Sequence, residues 1–455
     1  MDAVATDLSN IVKAYDVRGV VPEELNADIA RALGAAFARF TGANRIVFAR
    51  DMRETGVALS QAFADGATGQ GADVIDAGLG STDLLYFAAG KLDIPGAMFT
   101  ASHNPAKYNG IKLCLAGAKP VGQDSGLATL RDDAARFLDE GIPAYDGKPG
   151  SLTSQELLHD YAAYMKQLVP DLSGIRPLKV VVDAGNGMGG LTVPIVFEGL
   201  PLDTTELYFE LDGSFPNHEA NPIDPENLRD LQAAVTKEGA DIGLAFDGDA
   251  DRCFVVDERG EIVSPSVLTA LIAARELKRV PGATIIHNLI TSKAVPEIVR
   301  SLGGTPVRTR VGHSFIKAEM ARTGAVFGGE HSGHFYFKEF WNADSGMLAA
   351  LHALASLGTQ DGPLSELLSS YSPYAPSGEI NSTVTDAAAK IAELKKKYAG
   401  LEQDELDGLT VTSPDGWWFN VRASNTEPLL RLNAEAPDQA TLDAVRDEVL
   451  ALIRA

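Results

Sequence analysis

Thr284-Ile285-Ile286-His287-Asn288, Val307-Arg308-Thr309-Arg310 and Ala325-Val326-Phe327-Gly328 are three short runs in which β-branched and aromatic side chains predominate. Two longer amphipathic stretches, Ala294–Leu302 and Ser314–Thr323, lie between them. Runs of this length suit strands, and the intervening stretches carry helical periodicity. Strand, helix, strand in succession is the βαβ unit of a parallel or mixed sheet. One more helix, over Pro265–Arg279, leads into this round, and another over Ser345–Leu357 follows it.

The same alternation appears twice upstream. Lys179–Asp183 reads as a strand followed by the glycine-rich turn Ala184–Gly190 and a helix, and Asp241–Phe246 and Cys253–Asp257 read as strands flanking an acidic loop. In the first third, strands are expected at Ile46–Ala49, Val74–Asp76, Ala97–Phe99 and Ile111–Leu115, with helices at Ala27–Phe40 and Leu59–Gly69. Three α/β rounds of about 100 residues suggest related modules. Gly141–Gly150 breaks the composition as a linker would. After Pro363 the texture changes. Tyr371–Gly378 reads as a second linker, and Pro363–Gly378 as a hinge. Beyond it come a basic helix (Asp386–Tyr398), strands at Leu409–Thr412, Trp417–Arg422 and Leu429–Ala434, and a closing helix at Gln439–Ile453. The expectation is an α/β protein of four domains, at 1–147, 148–258, 259–368 and 369–455, the last a smaller α+β module.

At 455 residues the chain is too long for one core. Acidic groups outnumber basic ones 62 to 39, and a net charge of −23 repels nucleic acid and anionic membrane surfaces. No run approaches the ~18 apolar residues of a membrane span. The first residues lack a basic region followed by an apolar run, so no secretion signal is read there. Cys114 and Cys253 sit in apolar, strand-like contexts and read as packing residues in a reducing compartment. The expected location is the cytoplasm, and the expected partner is neither nucleic acid nor membrane.

Four stretches carry chemistry. Asp247-Gly248-Asp249-Ala250-Asp251-Arg252 places three carboxylates two residues apart between strands, where their oxygens can converge on one hard cation such as Mg²⁺. A calcium loop of the EF-hand kind is excluded, because Arg252 stands where that loop needs glycine and strands flank it. Thr100-Ala101-Ser102-His103-Asn104-Pro105 sets a hydroxyl beside an imidazole in a turn after a strand. Gly328-Gly329-Glu330-His331-Ser332-Gly333-His334 sets a carboxylate, a hydroxyl and two imidazoles among glycines. It suits sugar hydroxyls better than zinc, which lacks a third ligand at suitable spacing. Arg422-Ala423-Ser424-Asn425-Thr426-Glu427-Pro428 offers a guanidinium, hydroxyls and an amide to a phosphate. Weaker pieces are Tyr15 and Arg18 near the start, Lys112 ten residues after Ser102, and His313 at a helix N-terminus.

In combination and in this order, these stretches resemble the α-D-phosphohexomutase family, from Lys13 to Arg431. The resemblance implies three related α/β domains and a smaller C-terminal one around a central cleft. It implies that Ser102 is a phosphoserine and, through a phosphoryl oxygen, a metal ligand beside Asp247, Asp249 and Asp251. Glu330, Ser332 and His334 would bind sugar hydroxyls. Arg422, Ser424, Asn425 and Thr426 would grip the non-reacting phosphate, with Arg431 as helper and Tyr15 also on the substrate. Arg18, His103, Lys112, Arg252 and His313 would line the reaction centre, with Lys112 and His334 candidates for proton transfer. The implied substrate is a hexose phosphate, with Mg²⁺ as cofactor, hexose 1,6-bisphosphate as activator, and a monomer or homodimer as the working form. His331 in the sugar loop resembles the phosphomannomutase (phosphomannomutase/phosphoglucomutase) branch, so mannose 6-phosphate to mannose 1-phosphate is expected, with some glucose activity. Phosphoglucosamine mutase, or a sugar-phosphate-binding protein without catalysis, are the alternatives.

Overall fold

The computed structural model describes residues 5–423 and 429–455, the side chains of Asp124, His313 and Ser314 excepted. It divides into two compact units, 1–264 with 332–365, and 265–331 with 366–455.

The first unit contains two mixed sheets. In one, the strand order is Val17–Val20, Tyr108–Leu115, Gly96–Phe99, Arg45–Arg50, Asp73–Leu79, Leu152–Ser154. The four from Gly96–Phe99 onward run parallel, and Tyr108–Leu115 is antiparallel to both its neighbours in that order. Helix Ala27–Thr41 covers this sheet with a face of Ala, Leu and Phe side chains. Asn26 caps it by accepting from the amides of Asp28 and Ile29, and Gly42 ends it in the left-handed conformation. The other sheet runs Ile262–Val263, Cys253–Asp257, Ile242–Phe246, Leu178–Asp183, Leu202–Leu207, the last three parallel. Residues 242–246 and 253–257 are all buried, which explains why both read as unbroken apolar runs.

In the second unit, Thr284–Asn288 lies between Thr305–Thr309 and Phe327–Gly329, parallel to both, as the opening stretch dictates. Its other sheet is antiparallel, in the order Ala375–Thr383, Leu429–Ala436, Trp418–Ala423, Leu409–Thr412, Glu402–Asp404. One face supplies Phe419, Val421, Leu430 and Leu432 to a core closed by Leu442, Val449 and Ile453 of the last helix.

The expected linker and hinge contain regular structure at both ends. Leu364–Ser369 is a helix, and Ala375–Thr383 is a strand containing Pro376 and Gly378. Proline is tolerated there because the strand lies at the sheet edge and its register shifts between Pro376 and Glu379. Helix Thr82–Leu92 is absent from the sequence reading. Residues 82–89 are all buried, so the stretch shows no amphipathic stripe.

Candidate active site

Two loops of the first unit meet at the carboxyl ends of parallel strands, the usual place for a ligand in an α/β sheet. The Thr100–Tyr108 turn follows Gly96–Phe99, and the 247–252 loop follows Ile242–Phe246. The Ser102 hydroxyl donates to Asp247 Oδ2 at 2.7 Å. Close approach is possible because residue 248 is glycine. A Cβ there would lie 2.3 Å from the Ser102 carbonyl oxygen. Behind it, a Cβ on Gly187 would lie 2.6 Å from the Gly248 carbonyl oxygen, so the acidic loop is wedged between two turns.

Ser102 adopts a left-handed backbone conformation, φ 49°, which the surroundings must hold in place. Arg53 does so. Its buried guanidinium donates to four carbonyl oxygens of the turn: Ser102 at 2.8 Å, Asn104 at 2.6 Å, Pro105 at 3.0 Å and Tyr108 at 2.8 Å. Asp51 pairs with it at 3.2 Å and the Phe215 ring lies over it at 5.3 Å. Sequence reading missed Arg53; its one signal is an Asp-x-Arg triplet where a strand ends.

Asp247, Asp249 and Asp251 are buried, and one oxygen from each lies within 4.8 Å of the others. Lys112 Nζ donates to Asp249 Oδ2 at 2.7 Å and Asp251 Oδ2 at 2.6 Å, and the Thr82 hydroxyl donates to Asp249 Oδ2 at 2.6 Å. Arg252 Nε donates to Asp247 Oδ2 at 2.8 Å. Burial, with Asp251 and Asp249 alongside, pushes the Asp247 carboxyl up to about 7 against the pull of Arg252. Burial acts on Asp249 as well, but Lys112 and Thr82 outweigh it and hold that carboxyl well below its ordinary value. Burial opposes charge on Lys112, yet Asp249 and Asp251 keep its ammonium form well above the usual range. With all three carboxylates ionised, Lys112 and Arg252 leave one negative charge uncompensated, and the buried Oδ1 of Asp249 has no hydrogen-bond partner among the described residues. An all-oxygen set with a spare buried lone pair fits a hard divalent cation.

Arg252 Nη2 also donates to His103 Nδ1 at 2.6 Å. Burial, then Arg252 and Arg18, hold that imidazole down at about 3, so it is neutral and its proton sits on Nε2. Arg18 donates to Asn104 Oδ1 at 2.5 Å and pairs with Asp16. His334 Nε2 lies 3.6 Å from Asp251 Oδ1, and its Nδ1 is 2.9 Å from the Ser332 hydroxyl. Ser102, His103, Lys112, Arg18, Arg252, Ser332 and His334 thus share one neighbourhood with the acidic triad. Tyr15 lies half-buried in the turn before Val17–Val20.

The second unit holds the remaining expected residues. Glu330 is buried after Phe327–Gly329, with Oε1 accepting from Gly312 N at 3.2 Å and Asn288 Nδ2 at 3.3 Å. His313 opens the helix His313–Thr323. Arg422 and Arg431 are cross-strand partners, and both pair with Glu379, a residue that sequence reading did not single out. Ser424, Asn425 and Thr426 lie outside the described residues.

Four family models match the chain in succession: Phosphoglucomutase/phosphomannomutase, alpha/beta/alpha domain I at 9–133, domain II at 159–260, domain III at 265–374, and the C-terminal domain at 379–452. A Xanthomonas campestris protein named "Phosphohexose mutases" is 41% identical over 450 residues, covering 97% of this chain and 98% of that one. An Escherichia coli phosphomannomutase is 39% identical over 454 residues (97% and 98%), and a Neisseria gonorrhoeae phosphoglucomutase 38% over 461 (99% and 98%). A crystal structure of a phosphoglucomutase/phosphomannomutase family protein from Burkholderia thailandensis superposes with a TM-score of 0.87 at 35% identity, over 99% of this chain and 97% of that one. Among the described residues no helix is long and apolar enough to cross a membrane.

Proposed function

This chain belongs to the phosphoglucomutase/phosphomannomutase family, and from that premise we propose how its residues move a phosphoryl group between the two ends of a hexose. It is a phosphohexomutase that interconverts mannose 6-phosphate and mannose 1-phosphate and also acts on glucose phosphates. The observation that carries the mechanism is the Ser102 hydroxyl 2.7 Å from Asp247 at the edge of a converged acidic triad.

Ser102 carries the phosphoryl group in the working enzyme. Its Oγ–P bond breaks as the free hydroxyl of a hexose monophosphate bonds to phosphorus, and the hydroxyl proton leaves to the His334 imidazole. The resulting hexose 1,6-bisphosphate turns end for end. The other phosphoryl group then returns to Ser102 Oγ, and the proton returns to the sugar oxygen. Asp247, Asp249 and Asp251 would hold Mg²⁺, which would supply positive charge to the transferring phosphoryl group. Lys112, whose Nζ donates to Asp249 and Asp251, stabilises the same charge. Arg252 does so from the other side, its plane fixed by Asp247 and His103. Glu330 binds a sugar hydroxyl, and Arg422 and Arg431 bind the phosphate that is not reacting. The four-domain division at 1–147, 148–258, 259–368 and 369–455 and a cytoplasmic location, in keeping with two buried cysteines that form no disulfide, complete the reading.

The test is turnover of mannose, glucose and glucosamine phosphates side by side, with hexose 1,6-bisphosphate and Mg²⁺ present. Mannose phosphates should give the highest kcat/KM, and the peptide containing Ser102 should carry one phosphate. Full activity of Ser102→Ala would remove the mechanism.

A further inference from the structure

In the neighbouring strands Leu429–Ala436 and Trp418–Ala423, which pair without a break in register, successive side chains point to opposite faces of the sheet. Val421, Leu430 and Leu432 enter the core, so Arg422, Arg431 and Asn433 project from the opposite face. Arg422 stands directly across from Arg431, a like-charge pair that repels unless a third group intervenes. That group is Glu379 on the edge strand, whose register partner is Asn433. Its Oε2 accepts from Arg422 Nη2 at 2.5 Å, and its Oε1 lies 3.3 Å from Arg431 Nη1. Asn433 Oδ1 takes a second Arg422 donor at 2.9 Å. Arg422 is buried, which pulls its guanidinium below the ordinary value, and Glu379 opposes that pull. Arg431 Nε is a buried donor without a partner among the described residues.

We propose that Glu379 is a positioning residue that holds Arg422 and Arg431 side by side and, as their counter-charge, deliberately weakens their grip on a phosphate. The proposal rests on the reading that these arginines bind the non-reacting phosphate. Two guanidiniums alone would present two positive charges to a phosphate dianion; with Glu379 between them the cradle presents one. A mutase must release this phosphate in every turnover so that the bisphosphate can turn round. Affinity spent equally on the bound intermediate and on the transition state gains nothing in rate and delays that release. Glu379 therefore lowers affinity for the benefit of kcat.

Glu379→Gln keeps the size and removes the charge. The expected result is a lower KM for hexose monophosphate together with a lower kcat. Binding of inorganic phosphate, measured by calorimetry, should tighten about tenfold, the effect of one nearby charge at a partly exposed site. The gain should disappear when Arg422→Ala is added, which places it at this cradle. Glu379→Asp, which keeps the charge, should return both kinetic parameters towards wild type, and Glu379→Asn replaces Glu379→Gln if the latter does not fold. A raised KM with unchanged kcat, or phosphate binding that is unchanged or weaker, overturns the proposal. If the wild-type protein turns over no hexose phosphate, the mutase reading fails on its own, and the phosphate titration still decides the role of Glu379.

Discussion

Gly248→Ala adds one methyl group between the two loops on which phosphoryl transfer depends. Its Cβ would fall 2.3 Å from the Ser102 carbonyl oxygen, 3.0 Å from the carbonyl carbon and 3.4 Å from Phe215 Cζ. A carbon–oxygen contact relaxes at about 3.3 Å, so the Ser102 turn and the acidic loop must part by about 1 Å. Neither yields easily. Arg53 fixes one by four hydrogen bonds, and the Gly187 turn backs the other through Met188 N to Gly248 O at 2.9 Å. The backbone of residue 248 is not in the left-handed region, so crowding alone is being tested. Overpacking of this size costs about 1–3 kcal/mol, too little to unfold a chain of this length. A misplacement of 1 Å between reacting groups lowers kcat by about 10²-fold, and KM should change little because the sugar and distal phosphate are held elsewhere. The assay is steady-state kinetics on mannose 1-phosphate with bisphosphate saturating. Gly69→Ala, where a Cβ meets nothing within 4 Å, is the control. A kcat within about threefold of wild type would refute the claim that these loops must touch at this distance for transfer.

Arg53→Lys removes most of the donors that shape the Ser102 turn and leaves Asp51 with a poorer partner, so a loss of about 3–5 kcal/mol is expected. A thermal melt should show it, with kcat falling more than KM rises in whatever folds. Removing divalent metal with a chelator should abolish turnover, and added Mg²⁺ should restore it; in Asp249→Asn, titration calorimetry should show weakened Mg²⁺ binding even without substrate. Acid should destabilise the fold through His287, which burial holds down at about 4 from an unfolded value of 6.5. Below pH 6.5 the unfolded chain binds a proton that folded His287 refuses, so stability present above pH 6.5 is lost as pH falls towards 4. Between pH 6.5 and 5 the loss is about 2 kcal/mol, and it should be absent from the urea midpoints of His287→Gln.

The α/β rounds were legible because their central strands are short, wholly buried apolar runs and their helices are either one-sided or, like Gly346–Gly358, long unbroken apolar runs. The helix Pro265–Arg279 and the strand Thr284–Asn288 appear with the expected bounds. Thr82–Leu92 left neither a stripe nor a long apolar run: residues 82–89 are all buried, yet the helix is only 11 residues long and opens on Thr82 and Asp83. The start of the strand Ala375–Thr383 falls in the stretch that reads as linker, Tyr371–Gly378, because Pro376 and Gly378 are breakers in a central strand but not at a bulged edge. At the site, the residues proposed to meet ligand stand out by type and spacing. Arg53 and Glu379 do not, since each acts through groups about 50 positions away in the chain, and that separation leaves no local pattern.

One arrangement explains how a chain of net charge −23 works on anionic sugars. The charge surplus repels phosphates in bulk, so cations must be gathered at the points of contact. Every such cation found here is already paired: Arg18 with Asp16, Lys112 with Asp249 and Asp251, Arg252 with Asp247, Arg422 and Arg431 with Glu379. Pairing fixes each side chain in place before substrate arrives, which removes an ordering cost from the transition state. It also reduces the net attraction each cation offers, so on the proposed reading phosphate would bind by displacing or sharing a carboxylate partner and could leave again. A set of unpaired cations would hold the bisphosphate more firmly and turn it over more slowly. The paired carboxylates are therefore as much part of the mutase chemistry as the cations they restrain.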